Sequence, residues 1–250
     1  MSPIKTGYQK KGVLQNQIWH VPKKLQYNIY MTKKITHVIF DNDGLLLDTE
    51  PFYTEAHGDV AARFGKTFDW SIKSKIIGMK AEDAAGICIA ALGLPLTVQE
   101  YLEARWAKLE ELFPKSEPIA GAVNLTRWFA ERGVPQAVAT SAERCHLELK
   151  ISRHHDWYAL FNCIVTGDDP EVRQGKPAPD IFLLAARRMQ ADPEHCLVFE
   201  DSPAGIVAAR AAGMYAVAVP DPHMDLGVYR DAHEILRSLE EFDPSRWGFD

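Results

Sequence analysis

The apolar residues follow two rhythms. In five short runs, roughly Ile35–Phe40, Val134–Thr140, Cys163–Thr166, His195–Phe199 and Tyr215–Val219, they crowd together with β-branched residues. Each run is too short for a helix, and most are bounded by turn or charged residues, so each reads as a strand. Elsewhere the spacing is helical, as in Gly121–Arg132 and Pro179–Met189. Ser202-Pro203, with Gly213 further on, reads as an N-cap, a first-turn proline and a glycine just past a helix end. Strands alternating with helices predict an α/β fold with a doubly wound parallel sheet.

The interval between the first two strands breaks this alternation. From Pro51 to Arg132 there is no convincing strand, and residues 51–64 and 81–92 read as helices. Thr97 and Glu100 form a capping-box pair, followed by Leu102, Trp106, Leu109 and Phe113 on one helical face. The spacing of Trp106 and Phe113 suits helix packing better than stacking on a substrate. The expected organisation is a core domain of residues 34–50 and 119–250, with a helical cap domain, residues 51–118, inserted after the first strand. Pro114 to Pro118 would carry the chain back. Residues 1–33 read as a basic, disordered or alternative-start extension, and Met31 opens a compact start just before the first strand.

Composition narrows the function classes. Of 250 residues, 46% are apolar and 25% charged, as in an ordinary globular protein. A net charge of −6 gives no basic footprint for nucleic acid. No apolar stretch is long enough to span a membrane. Cys88, Cys145, Cys163 and Cys196 form no C-x-x-C pair and read as free thiols of a reducing, cytoplasmic setting. Oligomeric state is not legible, and a monomer is the default.

The candidate chemistry sits where the strands end. The first runs into Asp41-Asn42-Asp43-Gly44, the second into Thr140-Ser141, and the fourth into Glu200-Asp201. The third leads to Gly167-Asp168-Asp169 and then Gly175-Lys176-Pro177. In a parallel sheet these ends share one edge, where open α/β folds bind ligands. Two carboxylates about 4 Å apart repel by roughly 4 kcal/mol at an effective dielectric near 20. A bound cation removes that cost, and oxygen ligands without His or Cys favour Mg²⁺. Mg²⁺ commonly shares its shell with a substrate phosphate, for which Lys176 and Thr140 supply a charge and a hydroxyl. The bland alternatives are ordinary: Asp-Gly is turn chemistry, Ser141 can cap a helix, and Lys176 can be a solvated loop residue.

D-x-D-G after a first strand, a hydroxyl residue after a second, G-K-P, and E-D-x-x-x-G after a later strand together resemble the haloacid dehalogenase-like superfamily. The resemblance spans residues 35–220 and implies roles. Asp41 is then the nucleophile and Asp43 the acid/base. Thr140, Ser141 and Lys176 hold the phosphate. Asp41, Asp43 and Asp201 form the Mg²⁺ site, Asp43 through its backbone carbonyl, with Glu200 as a further ligand or as a partner that supports the ligands. Asp168 and Asp169 either assist the metal shell or make a turn. Residues 43–50, 152–154, 167–172, 175–182 and 196–201 further resemble the eukaryotic pseudouridine-5′-phosphatase branch, with Asn42 and Ala178 as departures. The substrate so implied is a small phosphate ester, pseudouridine 5′-monophosphate first, with sugar or glycerol phosphates as alternatives. Lys80, in the Gly78–Lys80 loop of the cap, would contact it. A phosphomutase of the same superfamily would carry a histidine near Tyr53 and an arginine in that loop. A non-catalytic phosphometabolite binder would have no use for intact Asp41, Asp43, Lys176 and Asp201.

Overall fold

A computed structural model describes residues 34–76 and 81–249. The expectations for the N-terminal extension and for Gly78–Lys80, Lys80 included, lie outside the described residues. The chain forms β1 (His37–Phe40), then the helices α1 (Glu50–Ala62), α2 (Trp70–Ile76), α3 (Ala81–Leu92) and α4 (Val98–Leu112). It continues through α5 (Ala122–Glu131), β2 (Gln136–Ala139), α6 (Arg144–Lys150), α7 (His155–Tyr158) and β3 (Cys163–Val165). Last come α8 (Asp180–Arg188), β4 (Cys196–Glu200), α9 (Pro203–Ala211), β5 (Tyr215–Ala218) and β6 (Glu234–Ile235).

The six strands form one sheet in the order β3-β2-β1-β4-β5-β6, and every pair is parallel. The expected doubly wound sheet is therefore present. Its strands are apolar along their length because both faces are covered. Side chains alternate between two cores. Val38, Phe40, Val138, Leu197 and Phe199 join the cluster under α5 and α6, with Phe40 stacked on Phe199 at 4.9 Å. Ile39, Ala137, Ala139 and Val198 join the cluster under α8 and α9. Leaving β1, the chain turns to β2 on one side and β4 on the other, so a crevice opens at the carboxyl end of β1. The sixth strand was not expected. It has two residues, and its Glu234 is buried against Arg246 and the Trp247 indole N–H, so no apolar run announces it.

The helical insert has a core of its own. Val60, Ile72, Ala85, Cys88, Leu92 and Tyr101 pack together without contribution from the sheet. The expected capping box starts α4: Thr97 Oγ1 accepts from the Glu100 N–H, and Glu100 accepts from the Thr97 N–H. The two connections to the sheet run side by side. The Asp48 N–H donates to the Glu117 carbonyl at 2.9 Å, and the Ile119 N–H donates to the Leu46 carbonyl at 2.9 Å. Beside them a small cluster of Ala56, Leu109 and Phe113, lined by Tyr53, Trp106 and Leu149, joins α1 and α4 to α6. Trp106 and Phe113 thus pack as their helical spacing implied.

Candidate active site

Asp41 is the first residue after β1, and its N–H donates to the Phe199 carbonyl, which holds the end of β1 against β4. The next three residues turn sharply. The Asn42 carbonyl accepts from the N–H groups of Leu46 and Leu47, and Gly44 adopts φ +80°. A side chain at Gly44 would be strained by that backbone, and its Cβ would lie 2.3 Å from Asp201 Oδ2. The glycine is what lets the β1 turn and the β4 end approach each other. Gly205 does the same for Glu200, since a Cβ there would fall within 1.8 Å of its carboxylate. Ser202 caps α9, its hydroxyl accepting from the Gly205 N–H at 3.0 Å, with Pro203 opening the helix as expected.

At the crevice Lys176 Nζ donates to Asp41 Oδ1 at 2.5 Å, to Glu200 Oε1 at 2.5 Å and to the Ala139 carbonyl at 3.1 Å. The other Glu200 oxygen accepts from the Ser202 N–H and hydroxyl at 2.8 and 2.9 Å. Glu200 is therefore occupied on both oxygens. Asp41 Oδ2 and the Asp201 carboxylate make no side-chain hydrogen bond among the described residues. The Asp201 backbone is held by the Tyr229 hydroxyl, which donates to its carbonyl at 2.6 Å. Burial lifts the Asp41 carboxyl to about 7; Lys176 opposes the rise, while the Glu200 and Asp43 charges add to it. Burial and the charges of Glu200 and Asp41 likewise push Asp201 well above the usual carboxylate range.

One oxygen each from Asp41, Glu200 and Asp201 can be gathered within 4.8 Å of one another. The ligands of an octahedral Mg²⁺ at about 2.1 Å span about 3–4 Å, so the group fits that ion. The raised carboxyls of Asp41 and Asp201 fit it too, since a cation would replace the protons that burial and the neighbouring negative charges favour there. Among these three, Asp41 and Asp201 have oxygens to give.

Asp43 faces the other way. Its Oδ1 accepts from Lys150 Nζ at 2.5 Å and from Thr49 Oγ1 at 2.8 Å, while Thr140 Oγ1 donates to Oδ2 at 3.3 Å. Burial raises the Asp43 carboxyl, but the Lys150 ammonium and the hydrogen bonds outweigh it and hold the group below its ordinary value. Lys150 and Thr49 were not anticipated as part of the site. Lys150 lies on the same face of α6 as the buried Leu147 and Ile151, and a lysine on a buried stripe is the one signal that marks it.

A family profile described as haloacid dehalogenase-like hydrolase matches residues 35–213. The chain belongs to that family. A (DL)-glycerol-3-phosphatase 2 of Arabidopsis thaliana is 48% identical over 86% of this chain and 91% of its own length. A Drosophila melanogaster protein named probable pseudouridine-5′-phosphatase is 42% identical over 86% of this chain and 95% of its own. Among solved structures, a haloacid dehalogenase family hydrolase of Deinococcus radiodurans, with bound phosphate and sodium, superposes with a TM-score of 0.69. Its sequence identity is 25%, over 83% of this chain and 93% of that one.

Within this hydrolase the remaining candidates separate. Thr140 is buried at the end of β2, its N–H bonded to the Val165 carbonyl and its hydroxyl accepting from the Ala142 N–H at 3.1 Å. Ser141 is exposed next to it, and its carbonyl lies so close to Gly167 that a Cβ there would meet it at 2.3 Å. Asp168 and Asp169 make structural contacts: Asp168 accepts from the Arg144 N–H at 3.0 Å, and Asp169 pairs with Arg188 at 2.7 Å. Of the two readings open for them, the turn is the one their bonds match.

Proposed function

We propose that this hydrolase is a Mg²⁺-dependent phosphatase that cleaves a small phosphomonoester through an aspartyl-phosphate on Asp41, with residues 51–118 acting as the cap over the site. The observation that carries the reading is the division of labour around Lys176. Its ammonium neutralises Asp41 Oδ1, the oxygen that attacks, and is anchored by Glu200, while Asp41 Oδ2 is left for the metal. Mg²⁺, held by Asp41 and Asp201 with the Asp43 carbonyl, would neutralise the phosphate oxygens so that a carboxylate can approach a dianion. Glu200 serves in this reading as the anchor of Lys176, not as a direct ligand, because both its oxygens are in use.

Asp41 Oδ1 attacks phosphorus and the ester oxygen departs, taking a proton from Asp43. Asp43 is held as a carboxylate without substrate; the phosphate arriving beside Thr140 raises its proton affinity, so that it takes up a proton from solvent and then gives it to the ester oxygen. Water then attacks phosphorus, giving its proton to Asp43, and phosphate leaves with Asp41 restored. Thr140 and Lys176 hold phosphate oxygens, and Ser141 contributes from the exposed end of β2.

Two alcohols compete as the leaving group. Glycerol 3-phosphate is placed first, on the higher identity of the Arabidopsis relative. Pseudouridine 5′-monophosphate is the second reading, on the Drosophila relative and the Gly167–Val172 and Lys176–Phe182 stretches. Steady-state rates on both esters, uridine 5′-monophosphate and hexose phosphates test the assignment. The highest kcat/KM is expected on glycerol 3-phosphate. A preference for pseudouridine over uridine monophosphate would move the nucleotide ahead. Phosphate release undiminished after exhaustive chelation would remove the metal from the proposal.

A further inference from the structure

The Lys150 side chain is fully buried, and it is the feature of the site that the scheme above does not use. It ends α6, points beneath the Asp43 turn, and donates to Asp43 Oδ1 at 2.5 Å and to the Tyr53 hydroxyl at 3.1 Å. Its ammonium also lies 4.4 Å from the centre of the Phe113 ring, an arrangement that favours a cation over an aromatic face. Removing an ammonium from water costs several kcal/mol unless its partners are well placed. Here they come from three separate segments: the β1 turn, α1, and the connection after α4.

Those contacts make the two Asp43 oxygens unequal. Oδ1 is held closely by Lys150 and Thr49, whereas Oδ2 meets the Thr140 hydroxyl at the longer distance of 3.3 Å, and the Asn42 side chain also favours the charged carboxylate. A carboxylate free to rotate would offer either oxygen in many directions, and proton transfer in the transition state needs one oxygen in one direction. We infer that Lys150 is a positioning residue: braced by Tyr53 and Phe113, its ammonium pins Oδ1 of Asp43 so that Oδ2 alone serves the departing alcohol. This rests on the acid/base reading of Asp43 above. A competing explanation is that the pair merely locks the turn to α6.

Leaving-group chemistry separates the two. p-Nitrophenyl phosphate releases a phenolate that needs no proton, whereas an aliphatic ester releases an alkoxide that does. The ratio kcat/KM reports the steps up to departure of the alcohol, before water attacks. Lys150→Met is measured on p-nitrophenyl phosphate and on the aliphatic ester that the wild type hydrolyses fastest. General acids are worth about 10²–10⁴ in rate, so kcat/KM is expected to fall at least about tenfold further on the aliphatic ester. Leu147→Ala, on the same helix and buried in the core, should lower both esters equally. If Lys150→Met does not fold, Tyr53→Phe removes one brace while leaving the ammonium paired, and a smaller loss of the same sign is expected. Equal losses on the two esters in the variant that folds, or no loss, would overturn the assignment. A wild type inactive on both esters would instead overturn the phosphatase reading, and this assignment with it.

Discussion

Asp41 and Asp43 are two residues apart, each bonded to a buried lysine, yet they stand in opposite electrostatic settings. Asp41 shares Lys176 with Glu200 and faces Asp201, so its side of the turn holds more negative than positive charge, and its carboxyl is pushed up. Asp43 has Lys150 to itself, with two hydroxyls beside it, and its carboxyl is held down. Neighbouring acids whose environments drive them apart are the usual basis for giving them different tasks. In the proposed mechanism the Asp41 side receives a cation and a phosphate. The Asp43 side is complete as it stands and meets the helical insert.

Substitution of each aspartate by asparagine should break this contrast in different ways. Asp41→Asn removes the proposed nucleophile, and kcat should drop at least about 10³-fold, roughly 4 kcal/mol of barrier. Its stability cost should be modest, because Lys176 keeps Glu200 as a partner. Asp43→Asn should also impair turnover, but its larger signature is in stability. It strands the Lys150 ammonium without a carboxylate, and breaking a buried pair from one side costs about 3–5 kcal/mol. Denaturant unfolding of the two variants side by side checks this. Equal destabilisation would show that the two lysine sites are not distinct in the way described.

The excess charge on the Asp41 side gives a binding prediction with no turnover in it. Mg²⁺ should raise the melting temperature, by the equivalent of about 2.7 kcal/mol at one hundred times its dissociation constant. The pH dependence has a definite sign. The Asp41 carboxyl is raised when folded, to about 7, so between the ordinary carboxylate value and about 7 the folded chain holds more protons than the unfolded one. Its contribution to stability therefore falls as pH rises through that window. Mg²⁺ competes with those same protons, so the Mg²⁺-induced rise should be larger near pH 8 than near pH 5.5, each an approximate setting. Differential scanning fluorimetry reads this directly, and a shift independent of pH would count against Asp41 as a ligand.

Some of this site could be read from residue order and some could not, for physical reasons. Asp41, Thr140 and Asp201 each follow a buried strand and Glu200 ends one, and parallel strands bring such positions to one edge whatever their separation along the chain. The insert was legible from its helical spacing and the Thr97–Glu100 box. Lys150 was not, because its burial depends on Tyr53 and Phe113, and the Tyr53 contact spans 97 positions of sequence. A lysine at a helix end ordinarily reads as solvated. Glu200 was read as a possible metal ligand because two acids in a row stand at the end of β4; the Ser202 and Lys176 bonds that use up its oxygens are contacts of geometry, not of order. β6 went unseen because a two-residue strand with a buried glutamate has no period to detect.

The smallest expected effect marks where the metal side ends. Asp169 lies one residue from Asp168 in an acidic stretch after β3, and either could be imagined reaching a cation. Both Asp169 oxygens instead accept from Arg188, at 2.7 and 3.1 Å, and Oδ1 also accepts from the Glu171 N–H at 3.1 Å. Those bonds hold Asp169 below its ordinary value, as expected for an acid already paired. Arg188 also reaches Glu171 and is partly exposed, so losing one partner leaves it another, with water besides. Asp169→Asn should therefore cost about 1–2 kcal/mol, more than a fully exposed pair because the Asp169 side chain is itself largely covered, but less than a buried pair. Its kcat and the Mg²⁺ concentration giving half-maximal rate should stay within about twofold of wild type. A residue acting on the metal through its ligands would behave otherwise, since losing such support commonly weakens affinity by about 10–100-fold. A Mg²⁺ titration of Asp169→Asn beside Asp201→Asn gives the measurement. A half-saturation point displaced as far in the first as in the second would extend the cation site across β3 and undo the separation between the Asp41 edge and the turn that follows it.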